Sequence, residues 1–371
     1  MKPGVAVIDN SLVLTGALRS AVATADVLAV NYRIVFCLPN RSGAIDFVMK
    51  AGYEVEEVPF RELKRSWRSI LLYLPLLLRS TWYLLSILSK KNVSVLHCND
   101  MYNMTGALVK LVRPSITLIY HVRLMRNSYI RPAYGLFSAI VKRSADAVIF
   151  VSRAASRDFG PVASGRVIYD CVTLEGSRTS TPRMAPSSAS PELLYLANYS
   201  RGKGHEEALA IFHQVIGSGC EASMRFIGEK IDPRFCEELL GLAQGYGILS
   251  RISFEGPSED VWKSLVSSDI FLNFSKSESF SRTTLEALQA GLPVVVYDSG
   301  GIRELFEHGV GGVLVAPGDQ VEAAKAIVDL CKSPSRRIEL GTKGRNRVEQ
   351  LFNRQEFSSS LNSLYESLLE N

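Results

Sequence analysis

Two carboxylates stand nearest to chemistry in this sequence. Glu278 and Glu286 lie eight residues apart in a stretch, 271–297, that reads as an apolar strand, a serine-rich turn, a helix stopped by Gly291 and Pro293, and a second apolar strand. At about 3.6 residues per helical turn they are roughly 80° out of phase, so they meet one ligand only if the turn folds back over the helix start. A helix N-terminus that follows a parallel strand favours an anion such as phosphate, because its first N–H groups lack intrahelical partners and its dipole is positive there. A plainer reading stays open from spacing alone. Thr283-x-x-Glu286 satisfies the capping-box pattern, which would make Glu286 a cap worth about 1 kcal/mol and Glu278 a solvated loop carboxylate.

The elements that must position these residues recur along the chain. Segments 5–9, 33–38, 53–58, 93–97, 116–121 and 147–151 read as strands, with helical stretches such as 16–29, 103–111 and 129–143 between them. The strands are apolar runs and not alternations, as expected of parallel strands buried on both faces. Ser, Thr and Pro dominate 173–191, which reads as a linker, and the alternation then restarts. With 371 residues, 47% of them apolar and 21% charged, the chain fits two α/β domains of a soluble globular protein. Its six cysteines show no metal or disulfide spacing, which points to a reducing cytoplasm. The first thirty residues lack the layout of a signal peptide, and no clean run of about 20 apolar residues is present.

Charge is uneven. Residues 1–180 hold 23 Lys/Arg against 12 Asp/Glu, a balance of +11, and the remainder holds 19 against 25, a balance of −6. Within the basic half, 61–91 sets seven basic residues and one acid around a core of Leu, Ile, Trp and Tyr. Arg79 near its centre and Pro75 argue against a bilayer span. An in-plane contact with anionic lipid headgroups and a buried helix with a basic cap both fit. The basic half lacks the interleaved aromatic and Arg pattern of a nucleic-acid groove, so no nucleic acid is expected.

One run of motifs carries more than spacing. Ser277-Glu278-Ser279-Phe280, Leu285-Glu286-Ala287-Leu288, Ala290-Gly291-Leu292-Pro293-Val294-Val295 and Gly300-Gly301-x-x-Glu304 occur in one order. Gly309-x-x-Gly312-x-Leu314-Val315-x-Pro317-Gly318-Asp319 follows, and Arg201-Gly202-Lys203-Gly204 precedes. Together they resemble the nucleotide-sugar-binding signature of the retaining GT-B glycosyltransferases of family 4, the glycosyl transferases group 1. More weakly, the resemblance spans nearly the whole chain, through His121, the segment 145–152 and Val167-Ile168.

The resemblance implies two Rossmann-like, doubly wound parallel-sheet domains facing across a cleft. These would be an acceptor-binding domain, 1–172, a linker, 173–191, a nucleotide-sugar domain, 192–355, and a helix, 356–371, crossing back to the first domain. It implies that Glu286 holds the ribose hydroxyls and that Glu278 contacts the donated sugar near its reacting carbon. The N–H groups from Phe280 through Ser281 and Arg282 to Thr283 would receive the diphosphate. Lys203 would balance charge on the leaving diphosphate, His121 would sit near donor sugar and acceptor, and Gly16 would belong to the loop after the first strand. Three departures mark this chain. Ser279 and Ser281 replace glycines beside Phe280, Ala197 or Asn198 stands where the family has a phosphate-binding Arg, and the Gly pair of the first loop is reduced to Gly16. Arg201 or Arg282 would have to supply the missing guanidinium.

The expected activity is sugar transfer from a UDP- or GDP-linked donor, with retention and with neither metal nor cofactor. The expected acceptor is a polyprenol-linked glycan or a glycolipid, in polysaccharide or glycolipid synthesis, with the protein in the cytoplasm and peripheral on the inner face of the cell membrane. Two alternatives fit the same residues: a nucleotide-sugar isomerase or epimerase of the same fold, and a non-catalytic nucleotide-sugar-binding protein.

Overall fold

Apolar runs too short for helices, each closed by a polar or glycine-containing turn, become the strands of two sheets. The computed structural model describes residues 2–60, 67–129, 131–172, 190–258 and 260–370, without the side chains of 67–71 and 131–132. Most of the linker expected over 173–191, and the start of the 61–91 segment, lie outside the described residues. The chain divides into two units, Met1–Cys171 with Arg354–Asn371, and Val172–Asn353.

The first unit opens with β1 (Gly4–Ile8), α1 (Gly16–Leu28), β2 (Arg33–Pro39), α2 (Ile45–Lys50) and β3 (Glu54–Val58). It continues through α3 (Trp67–Lys90), β4 (Val93–Asn99), α4 (Thr105–Val112), β5 (Thr117–Val122) and α5 (Arg131–Ser144). It closes with β6 (Ala147–Phe150), α6 (Arg153–Phe159) and β7 (Gly165–Val167). The strands pair in parallel in the order β3-β2-β1-β4-β5-β6-β7.

The second unit runs β8 (Glu192–Leu196), α7 (His205–Gly217), β9 (Ser223–Ile227), α8 (Pro233–Gly245), β10 (Ile252–Glu255) and α9 (Val261–Val266). After these come β11 (Ile270–Asn273), α10 (Arg282–Gln289), β12 (Val294–Tyr297), α11 (Ile302–Leu305), β13 (Glu307–His308), β14 (Gly311–Val315), α12 (Gln320–Lys332) and α13 (Pro334–Leu351). Its sheet has the order β10-β9-β8-β11-β12-β14-β13. In both sheets the order reverses beside the first strand, which opens a crevice at the carboxyl ends of β1 and β4 and of β8 and β11.

The last helix, α14 (Arg354–Leu369), packs on the first unit. Phe357, Leu361 and Tyr365 enter the core that also holds Val5, Val7, Ala21 and Ala25. The Tyr365 hydroxyl lies 2.6 Å from His97 Nδ1 on β4, and its ring meets Tyr32 at 5.4 Å. The chain's final residues therefore take part in a polar contact at the middle of the first sheet.

Candidate functional site

The second unit brings three loops together at the carboxyl edge of its sheet. The loop after β8 carries Lys203. Its turn needs Gly202 and Gly204, at φ 88° and 78°, and a Cβ on Gly204 would lie 2.3 Å from the Phe274 carbonyl oxygen. Tyr195, buried at the end of β8, fixes this loop to its neighbour. Its hydroxyl donates to the Lys203 carbonyl at 2.5 Å and accepts from the Phe274 N–H at 2.9 Å.

The loop after β11 carries Glu278, and the loop after β12 holds it from behind. Gly301 N–H donates to the Glu278 carbonyl at 2.9 Å. Gly300 has φ 56°, and a Cβ there would fall 1.8 Å from that same carbonyl oxygen, so no other residue fits without moving the Glu278 main chain. The result is an ion pair, with Lys203 Nζ 2.8 Å from Glu278 Oε1 and side-chain exposures of 40% and 14%. The Glu278 charge holds the Lys203 ammonium above the ordinary lysine range.

The entry to α10 differs from a capping box. Thr283 lies inside the helix and Ser281 takes the cap position, so the capping box that the spacing allowed does not form. Ser281 has φ 63°, the left-handed region that glycine enters freely, and for another residue this costs about 1–2 kcal/mol. Its hydroxyl turns inward instead, 2.9 Å from Asn273 Nδ2 and 2.7 Å from Thr284 Oγ1. These bonds offset the strain and explain how serine occupies a position where the resembled family has glycine. The Ser281 side chain makes no cap bond to α10, and the N-terminus of a helix is where backbone N–H groups suit an anion.

The other residues singled out from sequence fall in different places. Glu286 sits in the second turn of α10, 8% exposed, with Arg282 at 3.7 Å. Phe280 is buried edge-on against Phe352, so its side chain is part of the packing. Arg201 is turned to α8, where it bonds Glu238 at 2.5 and 2.7 Å and lies over the Phe235 ring; the structure does not bring it to Lys203 and Glu278. Asn198, at the place of the family's Arg, accepts from the Glu229 N–H at 3.2 Å and joins the loops after β8 and β9.

Gly16 and His121 belong to the first unit. Gly16 is the first residue of α1, behind Thr15, whose hydroxyl caps the helix. His121 is fully buried on β5, with Nδ1 3.1 Å from Arg123 NH2 and 3.3 Å from His97 Nε2. Burial first, then Arg123 and His97, push its pKa well below the usual histidine value, so the ring is neutral. Arginine can only donate, so His121 Nδ1 accepts and Nε2 carries the proton. That N–H is buried without a hydrogen-bond partner among the described residues.

Sequence reasoning missed Tyr195, Asn273 and His205. Tyr195 lies in an apolar run that gave no sign of a polar task. His205, the first residue of α7, is buried among Tyr195, Tyr199, Phe226 and Phe235, and that burial pushes its pKa down to about 4.

Residues 181–347 match the family model described as glycosyl transferases group 1, a span that covers most of the second unit. N-acetyl-alpha-D-glucosaminyl L-malate synthase of Bacillus anthracis is 28% identical over 177 residues, which is 48% of this chain and 45% of that protein. The chain spans about half the length of the curated relatives it matches. Among solved structures, Anabaena HepE in complex with UDP and glucose aligns with a TM-score of 0.84 at 19% identity, covering 98% of this chain and 100% of that one. WaaG, a glycosyltransferase involved in lipopolysaccharide biosynthesis, aligns at 0.74 and 13% identity, covering 97% and 99%. The two parallel seven-stranded sheets with their helices have the GT-B fold of these structures.

Gly300→Ala should lower stability in urea by about 1 kcal/mol or more, because it combines a left-handed φ with a main-chain clash. Gly217→Ala, where an added Cβ would meet no other described part of the chain within 4 Å, should not, and equal effects would contradict the clamp on Glu278. A second expectation concerns pH. His205 is neutral in the fold down to about 4, whereas the unfolded chain takes up its proton near 6.5. The stability it contributes is therefore complete above 6.5 and falls as pH drops towards 4, by about 1.4 kcal/mol per unit. Urea midpoints of wild type and His205→Phe should diverge over that window, with the wild type losing more; parallel curves would refute it.

Proposed function

We propose that this chain is a group 1 glycosyltransferase of the retaining, metal-independent type, moving a sugar from a UDP- or GDP-linked donor to a lipid-carried glycan or glycolipid. The observation that carries this reading is the Lys203 and Glu278 pair, held at 2.8 Å in the turn that leads to the start of α10. The match of the second unit to the family model and the UDP and glucose bound by the Anabaena neighbour support it.

In this reading the diphosphate lies at the α10 N-terminus, on the N–H groups from Phe280 to Thr283. Lys203 exchanges part of its bond to Glu278 for a phosphate oxygen and stabilises the negative charge that develops there. Glu278, released, accepts hydroxyls of the donated sugar, and Glu286 accepts the ribose diol, with Arg282 beside it. The bond from the anomeric carbon to the diphosphate oxygen breaks and a bond to the acceptor oxygen forms on the same face. The acceptor's proton goes to the departing phosphate oxygen. In the first unit His121, a neutral ring, acts through its Nε2–H as a hydrogen-bond donor and not as an acid or base. The lysine and the helix start supply the charge that a metal provides elsewhere.

All six cysteines are unpaired, which supports a reducing compartment such as the cytoplasm.

A panel of nucleotide sugars in a thermal-shift assay identifies the donor, and product formation is then followed with and without acceptor. Glu278→Gln should cut kcat by roughly 10²–10³, the scale of losing one group that stabilises the transition state, with UDP or GDP affinity little changed. Chelators should leave the rate unchanged, and NMR of the product should show the donor's anomeric configuration. Full activity of Glu278→Gln, an inverted product, or sugar rearrangement without acceptor would each overturn the proposal.

A further inference from the structure

One large surface has no task in the reaction. In α3, Ser80, Thr81, Leu84, Ile87 and Leu88 are buried, and the Ser80 hydroxyl donates to the Pro59 carbonyl at 2.8 Å, bedding the helix on its own unit. The opposite half of its circumference presents Leu72, Leu74, Leu78, Trp82 and Tyr83, all exposed, with Trp82 at 69%. Most of Leu72–Lys90 is not buried, so the core-helix reading of this segment fails for its outer half. α4 packs beside α3 and α5 beside α4, and they add exposed Leu111, Val112 and Leu136.

Charge falls on the same layer. Residues 67–144, from the start of α3 to the end of α5, hold eleven Lys/Arg and one acid, whereas residues 2–60 hold five Lys/Arg and six acids. Lys91, Lys110 and Arg123 are engaged by Glu54 and Glu56, Asp146 and Asp170. Arg79, Lys90, Arg126 and Arg143 are exposed. Arg79 lies over the Tyr83 ring at 5.8 Å, a cation among the apolar side chains.

From this coincidence of apolar and basic surface we infer that the outer face of α3, with α4 and α5, docks on an anionic lipid surface, the helix lying in the plane of the headgroups. Leu72–Lys90 is long and apolar enough to span a bilayer, but the helix links β3 and β4 of one sheet and its middle is tied to Pro59, so it cannot leave the unit. In the plane, leucines and Trp82 reach the acyl boundary while the cations meet lipid phosphates. The inference rests on the transferase reading only for its purpose, the delivery of a lipid-carried acceptor.

The test is flotation of the full chain with phosphatidylcholine vesicles and with vesicles that also contain phosphatidylglycerol. Anionic vesicles should carry the protein, neutral ones less, and added salt should weaken the binding. Leu78→Ser and Trp82→Ser should each reduce partitioning by roughly tenfold or more while the thermal unfolding midpoint holds. No flotation, flotation undiminished in both variants, or a vesicle-free dimer dissociated by Trp82→Ser would overturn the inference, the last by making this face a self-contact. The thermal shift by nucleotide sugar, read on the same samples, keeps the two proposals apart. A shift without flotation refutes only the membrane face, and flotation without a shift refutes only the transferase.

Discussion

The second unit depends on a partly exposed lysine held against a more buried carboxylate by three separate loops. Neither charge would be comfortable alone, since a carboxylate as enclosed as Glu278 needs a cation to offset its desolvation. Lys203 can serve because Tyr195 ties its loop to the end of β11, and Glu278 is held because Gly300 and Gly301 close on its main chain. The pair also sets the terms for a ligand. An anion that takes the lysine competes with the glutamate for it, which favours a molecule carrying both phosphate and hydroxyl groups over a simple phosphate.

The first unit solves a different problem, that of holding a histidine neutral and pointing its proton. A buried chain runs from the Tyr365 hydroxyl to His97, from His97 to His121, and from Arg123 to both His121 and Asp170. Each donor in this chain fixes the next group's role, because arginine cannot accept and each neutral imidazole has one N–H. The C-terminal helix, through Tyr365, thus helps decide which nitrogen of a ring on β5 carries hydrogen. Burial of His97 together with Arg123 pushes its pKa down to about 3, consistent with a chain of neutral rings.

Much of this was legible from pattern. The apolar runs gave the strands of both parallel sheets because such strands hide both faces, and three glycines of the quoted motifs, 202, 204 and 300, have left-handed backbone. Glu278, Lys203 and the start of α10 were named together and are together. What pattern could not carry was the direction of a side chain. Arg201, three residues beyond Asn198, bonds Glu238 on α8; Thr283-x-x-Glu286 had the letters of a capping box but not its register; and Tyr195 was hidden in a strand of Leu. The exposed half of α3 was equally opaque, since a helix apolar nearly all round does not declare which side the sheet covers.

The most direct test of the central claim is a calorimetric double-mutant cycle on nucleoside diphosphate binding, with UDP or GDP, whichever binds the wild type more tightly. If Lys203 is a phosphate ligand that Glu278 occupies in the free protein, Lys203→Ala weakens binding at least about tenfold and Glu278→Gln leaves it equal or tighter. In the Lys203→Ala background, Glu278→Gln should recover part of the loss by removing a repelling charge. Unchanged affinity in Lys203→Ala would contradict the account.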